Sequence, residues 1–164
     1  MKRTSRIALI LVTLLGCVGC DQATKAVARE ELTPGTTVSL FHDLVRLERS
    51  DNPGAFLSLG EHWPTAVRRG LFTVGGLLWV AGALGWALRA RDANATAILG
   101  APLVAGGGIG NVIDRLAHCG RVTDFLNVGI DPVRTGIFNV ADMALMLGVA
   151  LWIVSATERG RSRA

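Results

Sequence analysis

The sequence has few of the residues that build disulfide frameworks and metal centres. Its three cysteines cannot form such a framework, since two of them, Cys17 and Cys20, lie inside the first apolar segment. The three histidines are scattered, and neither H-E-x-x-H nor a group of cysteines and histidines with zinc-ligand spacing occurs. We therefore expect no metal site and no cofactor.

The features of nucleic-acid-binding proteins are also missing. The formal net charge is +4, but no stripe of arginine and lysine with interleaved aromatic residues is present. The basic balance instead indicates contact with anionic membrane lipid and a topology that keeps positive charges on one side. We expect no nucleic-acid partner.

Charge is scarcest in four stretches, and these stretches define the fold class. Half of the residues are hydrophobic, and each stretch is close to the roughly 20 residues that cross ~30 Å of hydrocarbon at ~1.5 Å per residue. We predict a membrane α-helical protein, with one integral domain over residues 1–164. Its four-transmembrane-helix bundle would have spans at about 7–27, 70–88, 93–113 and 136–157.

The first span needs two charged residues to reach full length. Residues 1–20 have the basic start, apolar run and small residues of a secretory signal, but the apolar run alone is too short to cross. A retained helix must run to about Val27 and include Asp21 and Lys25. These two residues are spaced i, i+4, so they share a helix face and can neutralise each other. This pairing favours a retained span.

Lysine and arginine in the short loops set the expected orientation. They concentrate at the N-terminus, in the loop after the second span and in the C-terminal tail, which predicts that both termini are cytoplasmic. The segments 29–66 and 114–134 would then face outward. Within the first of them, residues 36–49 alternate enough to predict short strands, followed by turn residues. We expect a small β-rich cap at about 36–60.

The remaining polar residues concentrate at the outer ends of the spans. Asn111 shares a helix face with Asp114 and Arg115, and Asn139 lies one turn before Asp142. A carboxylate inside an apolar span is costly, so Asp142 requires an explanation. One alternative is structural: Asn139 caps the fourth helix, and Asp142 in its first turn favours the helix dipole.

Five short motifs, taken in order, resemble the lipoprotein signal peptidase family, also called signal peptidase II. They are D-x-x-T-K, N-x-G-A, G-N-x-x-D-R, V-x-D-F and F-N-x-A-D. Each motif is weak alone, but together they cover nearly the whole chain at spacings compatible with four spans. In this sequence they occupy residues 21–25, 52–55, 110–115, 122–125 and 138–142.

The resemblance implies a membrane aspartic endopeptidase without a metal. Its substrates would be prolipoproteins, cut just before the cysteine that carries a diacylglyceryl group. The family's catalytic pair carries over to Asp124 and Asp142, and its small periplasmic β-rich cap fits residues 36–60. The enzyme would lie in the bacterial inner membrane as a monomer among membrane lipids, with its active site on the periplasmic side. The other motif residues would shape the site or bind substrate: Asp21, Lys25, Asn52, Gly54, Asn111, Asp114, Arg115 and Asn139.

The chemistry of a carboxylate pair gives Asp142 a reason. Two close carboxylates cannot both ionise easily, so they share one proton and titrate as a unit. The ionised member can take a proton from water, while the protonated member polarises the scissile carbonyl and later protonates the leaving amine. A partly desolvated acid is suited to stay protonated.

Three alternatives stay open at this point. Lys25 and Ser58 could form a Ser–Lys hydrolase. A small transporter could use the same buried acids, although it predicts polar residues at several depths rather than in one layer. The segment TLLGC, ending at Cys17, resembles the cleavage site of a lipoprotein precursor, which would make the chain itself a processed lipoprotein.

Overall fold

The computed structural model describes residues 2–54, 62–90 and 93–161. Within these ranges it contains four long helices and four short strands. The helices are α1 (Arg3–Glu31), α2 (Thr65–Arg89), α3 (Ala95–Ala117) and α4 (Val140–Arg161). The strands are β1 (Val38–Leu40), β2 (Val45–Asn52), β3 (Val122–Ile130) and β4 (Val133–Arg134).

All four helices are long and apolar enough to cross a membrane, as the sequence predicts. Their bounds differ from the expected spans at the ends, because charge marks the edge of hydrocarbon but does not stop a helix. Helix α1 continues past residue 27 to Glu31. The fourth helix begins at Val140 rather than 136, because Phe138 forms a β-bridge with Leu126.

Helix α3 lies at the centre of the bundle and packs against α1, α2 and α4. Small residues on α3 let it approach its neighbours closely. A Cβ at Gly107 would overlap the backbone carbonyl oxygen of Ala141, and a Cβ at Gly100 would lie 2.8 Å from the carbonyl oxygen of Gly148. Close contact between α3 and α4 therefore depends on glycine on both helices.

A four-stranded antiparallel sheet in the order β1-β2-β3-β4 lies at one end of the bundle. Its strands follow the C-terminal ends of α1 and α3 and precede the N-terminal ends of α2 and α4. Among the described residues, the cap expected over 36–60 contributes two of the strands, β1 and β2, and the other two, β3 and β4, come from residues 122–134. Residues 55–61 lie outside the described residues.

The opposite end of the bundle joins the other helix termini. Arg6 at the start of α1 donates hydrogen bonds to the carbonyl oxygens of Ala90, at 2.9 Å, and Ala87 at the end of α2. Asn94, which caps α3, donates to Glu158 near the end of α4 at 3.0 Å. The N-terminus and the connection between α2 and α3 are therefore on the same side, far from the sheet.

Candidate active site

The ten residues selected from the sequence motifs all lie at the sheet end of the bundle. Asp21 and Lys25 are in the second half of α1, and Asn111, Asp114 and Arg115 are near the end of α3. Asn139 and Asp142 are at the start of α4, Asn52 ends β2, Gly54 follows it, and Asp124 is on β3. The position of Asp124 on a strand was not predicted.

Asp124 is buried between two asparagine side chains. The Nδ2 group of Asn52 donates to Asp124 Oδ2 at 2.8 Å, and the Nδ2 group of Asn139 donates to Asp124 Oδ1. Asp124 is only 3% exposed. Burial, reinforced by the nearby charge of Asp142, raises the pKa of Asp124 to about 6, although the amide hydrogen bonds oppose the shift.

The two carboxylate oxygens of Asp142 have different hydrogen-bond partners. Its Oδ2 accepts from the backbone N–H of Asn139 at 3.2 Å, while its own N–H donates to Asn139 Oδ1 at 3.0 Å. This reciprocal arrangement is a capping box, so the structural alternative is present. The capping interaction uses only Oδ2. The other oxygen, Oδ1, accepts from Asn111 Nδ2 at 3.0 Å. Capping and chemistry are therefore compatible in this residue.

Asn139 connects the two carboxyl groups. Its amide nitrogen contacts Asp124 and also Asn111 Oδ1 at 3.2 Å, and its amide oxygen caps the helix that carries Asp142. The two acids are separated by 18 positions in sequence, yet one side chain contacts both of their residues. The convergence expected from the motifs is present.

Asp21 and Lys25 form the expected pair, with Lys25 Nζ 2.9 Å from Asp21 Oδ2. Lys25 is fully buried and also lies 3.5 Å from Asp114 and donates to Asn111 Oδ1 at 2.9 Å. Asp21 Oδ1 accepts from the backbone N–H of Ala141 at 2.9 Å. These residues join α1, α3 and α4 around the acid pair.

The contacts of Lys25 argue against the Ser–Lys alternative. Lys25 Nζ lies within 3.5 Å of Asp21 and Asp114 and donates to Asn111, and none of these partners is a serine nucleophile. Ser58, the proposed nucleophile of that alternative, lies outside the described residues, as does Ala55 of the second motif.

Arg115 holds the chain segment after β2 against the site. It donates to the carbonyl oxygen of Gly54 at 2.9 Å and lies with its guanidinium carbon 5.5 Å from the centre of the Phe72 ring. The N–H of Gly54 in turn donates to Asn52 Oδ1 at 2.8 Å. These contacts orient the Asn52 amide so that its nitrogen faces Asp124.

Three further residues belong to this polar region and were not selected from the sequence. Gln22 donates to Asp21 at 3.0 Å, while Arg29 and Thr123 contact each other at 3.1 Å. Arg29 lies four residues after Lys25 and eight after Asp21, so helical periodicity could have identified it. The position of Thr123 depends on the unpredicted strand β3.

An apolar cavity of about 680 Å³ opens beside Asp142. Its polar end contains Asn111, Arg115 and Asp142. From there it extends between α2 and α4, with α3 behind it. Its apolar lining includes Phe72, Trp79, Leu145, Met146, Val149 and Ile153. A long apolar segment that ends in a polar group would fit this arrangement.

The described residues were also compared with the requirements of a metal site. Among residues 2–54, 62–90 and 93–161, no three His, Cys, Asp or Glu side chains could hold one metal ion together.

Comparison with known proteins gives consistent matches over nearly the whole chain. A family model described as "Signal peptidase (SPase) II" matches residues 13–157. The lipoprotein signal peptidase of Leifsonia xyli subsp. xyli is 33% identical over 160 residues, which cover 93% of this chain and 68% of that protein. The lipoprotein signal peptidase of Streptococcus pneumoniae is 30% identical over 155 residues, with 94% of each protein covered.

The fold also matches that of solved proteins. One bacterial membrane enzyme, solved at 2.3 Å resolution, superposes with a TM-score of 0.85, 22% identity and coverage of 96% of this chain and 93% of that one. A second, solved at 1.9 Å, has a TM-score of 0.77 and 23% identity. At these identities the likeness concerns the fold.

Proposed function

The chain belongs to the signal peptidase II family, and we propose that Asp124 and Asp142 are the catalytic pair with which it cleaves prolipoproteins. Membership makes it a multi-pass membrane peptidase of the aspartic type that removes prolipoprotein signal peptides. The observation that carries the residue assignment is the contact of one side chain, Asn139, with both acidic residues, of which Asp142 lines the polar end of the apolar cavity.

The two carboxyl groups divide the acid and base work. With one proton shared between them, the ionised group takes a proton from water as that water attacks the scissile carbonyl. The protonated group donates a hydrogen bond to the carbonyl oxygen and then a proton to the leaving amine. The asparagine amides around the pair donate to either carboxylate without supplying a net charge, so the proton can move at low cost.

The apolar cavity would hold the membrane-embedded part of the substrate. A signal peptide and the acyl chains of a diacylglyceryl group are both apolar, and the lining between α2 and α4 is apolar as well. The scissile bond would lie at the polar end of the cavity, beside Asp142. Asn52, Gly54 and Arg115 close this end from the side of the sheet.

We propose that the sheet end faces the periplasm and that both termini are cytoplasmic in the inner membrane. The support is the distribution of charge: Lys2, Arg3 and Arg89 belong to the bundle end away from the sheet. Reporter fusions after Arg91 and after Ala164 should report cytoplasm, and a fusion near Glu61 should report periplasm. A periplasmic signal from the fusion at 91 would contradict this orientation. A monomer in contact with membrane lipid is the assembly expected.

A cleavage assay tests the proposed activity. Purified protein should convert a diacylglyceryl-modified prolipoprotein to a product that begins at the lipidated cysteine, and it should leave the unmodified precursor uncut. The Asp124→Asn/Asp142→Asn double variant is the blank. Equal cleavage by that variant would refute the assignment of the pair, and cleavage of the unmodified precursor would refute the substrate class.

A further inference from the structure

Arg29 is a charged residue of α1 that has no role in the chemistry described above. It extends the helix face that carries Asp21 and Lys25, and its side chain is 23% exposed. Its NH1 group donates to Thr123 Oγ1 at 3.1 Å and lies 3.5 Å from Asp114 Oδ1. Its contacts are therefore made to the neighbours of the acid pair.

Asp114 completes a triangle of contacts around Thr123. The backbone N–H of Thr123 donates to Asp114 Oδ2 at 2.9 Å, while Arg29 contacts both the Thr123 hydroxyl and the other oxygen of Asp114. Asp114 is fully buried. The main chain and the side chain of Thr123 are thus both held, one from α3 and one from α1.

The sheet itself gives Asp124 weaker support than a regular ladder would. Strand β2 pairs Leu47 with Leu126 and Ser50 with Asp124, so an irregularity in register falls between these two pairs. An extra residue at such a point disrupts the ladder and bends the strand. The extra residue is on β2, and the start of β3 is in regular register, with Thr123 opposite Asp51. The contacts of Thr123 with Arg29 and Asp114 add to this pairing directly beside Asp124.

We propose that Arg29 and Asp114 are positioning residues that fix the start of β3 and thereby the carboxyl group of Asp124. The position of Asp124 matters because its two oxygens must meet the Asn52 and Asn139 amides on opposite sides. A displacement of about 1 Å far from the reacting atoms can cost about 100-fold in rate. This inference rests on the proposed function, in which Asp124 acts in the cleavage step.

Arg29→Met is the main test, because methionine keeps an unbranched stem and removes the guanidinium. We expect kcat for the lipidated prolipoprotein to fall about 10- to 100-fold while KM stays within about twofold, since catalytic geometry changes and substrate contacts do not. Arg121→Met is the matched control, because Arg121 is an exposed arginine two residues before Thr123. It should leave both constants near wild type.

Thr123→Val tests the same triangle from its other side. Valine keeps the shape and the backbone N–H but loses the hydroxyl that Arg29 contacts. In a double-mutant cycle, the loss in kcat from both changes together should be smaller than the product of the separate losses. If Arg29→Met does not fold, the fall in kcat of Thr123→Val relative to Arg121→Met decides.

Hydrogen–deuterium exchange supplies a measurement that does not need substrate. In Arg29→Met, exchange should rise in residues 121–125 and stay unchanged in residues 127–131. A rise in KM at constant kcat would overturn the proposal, because it would make Arg29 a substrate contact. Unchanged kcat per folded molecule would overturn it as well. If wild type does not cleave, the proposed function fails. Unchanged exchange in residues 121–125 of Arg29→Met would then overturn the positioning role of Arg29 independently.

Discussion

Asp124 and Asp114 are both buried aspartates at the same end of the bundle, yet their partners differ in kind. Among the described residues, the hydrogen-bond donors to Asp124 are the neutral amides of Asn52 and Asn139. Asp114 instead lies within 3.5 Å of both Lys25 and Arg29. Lys25 and Arg29 tie Asp114 into an ion-pair network, whereas the amides orient Asp124 without supplying an opposite charge.

The same division separates Asp142 from Asp21. Asp142 accepts from the Asn111 amide and from a backbone N–H, while Asp21 pairs with Lys25 at 2.9 Å. Asn111 lies between the two groups, since its oxygen faces Lys25 and its nitrogen faces Asp142. Asn111 thus lies between the ion-pair cluster around Lys25 and the amide-lined pair of Asp124 and Asp142. We expect the cluster to contribute to stability and the pair to contribute to catalysis.

The largest effect is expected from replacing either of the two proposed proton carriers, Asp124 and Asp142. Asp124→Asn and Asp142→Asn should each lower cleavage by at least ~10²–10⁴-fold, because asparagine cannot ionise or transfer a proton. The double variant should lose little more, since the pair acts as a unit. Helix α4 should persist in Asp142→Asn because Asn139 still caps it. Rates are measured with lipidated prolipoprotein, and Asp131→Asn, an exposed acid outside the motifs, is the control. Near wild-type rates in either variant would contradict the aspartic mechanism.

The second effect concerns stability in the ionic cluster. Lys25→Met leaves Asp21 and Asp114 without their shared cation, and breaking a buried pair from one side costs about 3–5 kcal/mol. We expect a large drop in the thermal midpoint in detergent, partly recovered in Lys25→Met/Asp21→Asn, which removes one stranded charge. Lys2→Met serves as the control. If the thermal midpoint of the double variant were below that of Lys25→Met, the stranded charge of Asp21 would not be the cause of the destabilisation.

Replacing Asn111, which contacts both Lys25 and Asp142, should weaken catalysis and leave the fold intact. Asn111→Asp keeps the size and the acceptor toward Lys25 but replaces the donor to Asp142 with a negative charge. Loss of a hydrogen bond to a charged group corresponds to about 1.5–3 kcal/mol, or about 10- to 100-fold in rate, and the added charge adds to it. The fold should persist because Lys25 gains a charged partner. We therefore expect a lower kcat and a thermal midpoint near that of wild type, and both are measured on the same preparation. A lower thermal midpoint with full kcat per folded molecule would contradict this expectation.

The smallest effect is a difference in pH dependence. The pKa of Asp124 is raised by burial to about 6, above the 3.8 of an ordinary aspartate, so the folded chain binds this proton more tightly than the unfolded chain. Its contribution to stability is therefore full below about pH 4 and is lost as pH rises through about 6. The thermal midpoint of wild type minus that of Asp124→Asn should fall by a few degrees between pH 4 and pH 7.

Asp43, in the turn between β1 and β2, provides the opposite sign for the same measurement. Hydrogen bonds from Arg46 and Ser39 hold the pKa of Asp43 well below its usual range. Its contribution is present above about pH 4 and is lost as pH falls further. The midpoint of wild type minus that of Asp43→Asn should therefore fall on acidification below pH 4. A difference of the same sign for both residues would contradict the distinction between amide and ionic partners.

The sequence predicts much of this arrangement because its signals are local. Hydropathy identifies four spans, the i, i+4 spacing identifies the Asp21–Lys25 pair, and the motifs identify Asp124 and Asp142. Strand β3 was missed because its residues lack strict alternation: Phe125 and Leu126 are adjacent, and polar Asn127 follows. Such a strand is stabilised by partners distant in sequence, among them Leu47 on β2, Ala28 on α1 and Leu32 directly after α1.

The contacts of Arg29 could not be predicted for a related reason. Its place on the helix face is readable from periodicity, but its partners Asp114 and Thr123 come from α3 and β3, which approach α1 only in the folded chain. Likewise, which oxygen of Asp142 caps the helix and which faces Asn111 depends on how α3 and α4 pack. The motif resemblance proposes the members of the site, whereas packing determines their partners.

Helix α1 also bears on how this enzyme coexists with a substrate-like segment of its own. The segment TLLGC lies in the interior of an uninterrupted helix, and a Cβ at Gly106 of α3 would lie only 2.6 Å from Cys17 Cβ. Cleavage of the peptide bond before Cys17 would require α1 to unwind there, because a helical peptide bond is not in the extended form that a protease cuts. We therefore expect the purified protein to retain its N-terminal residues, and its intact mass would reveal whether it does; an N-terminus at Cys17 with added diacylglyceryl mass would contradict this expectation.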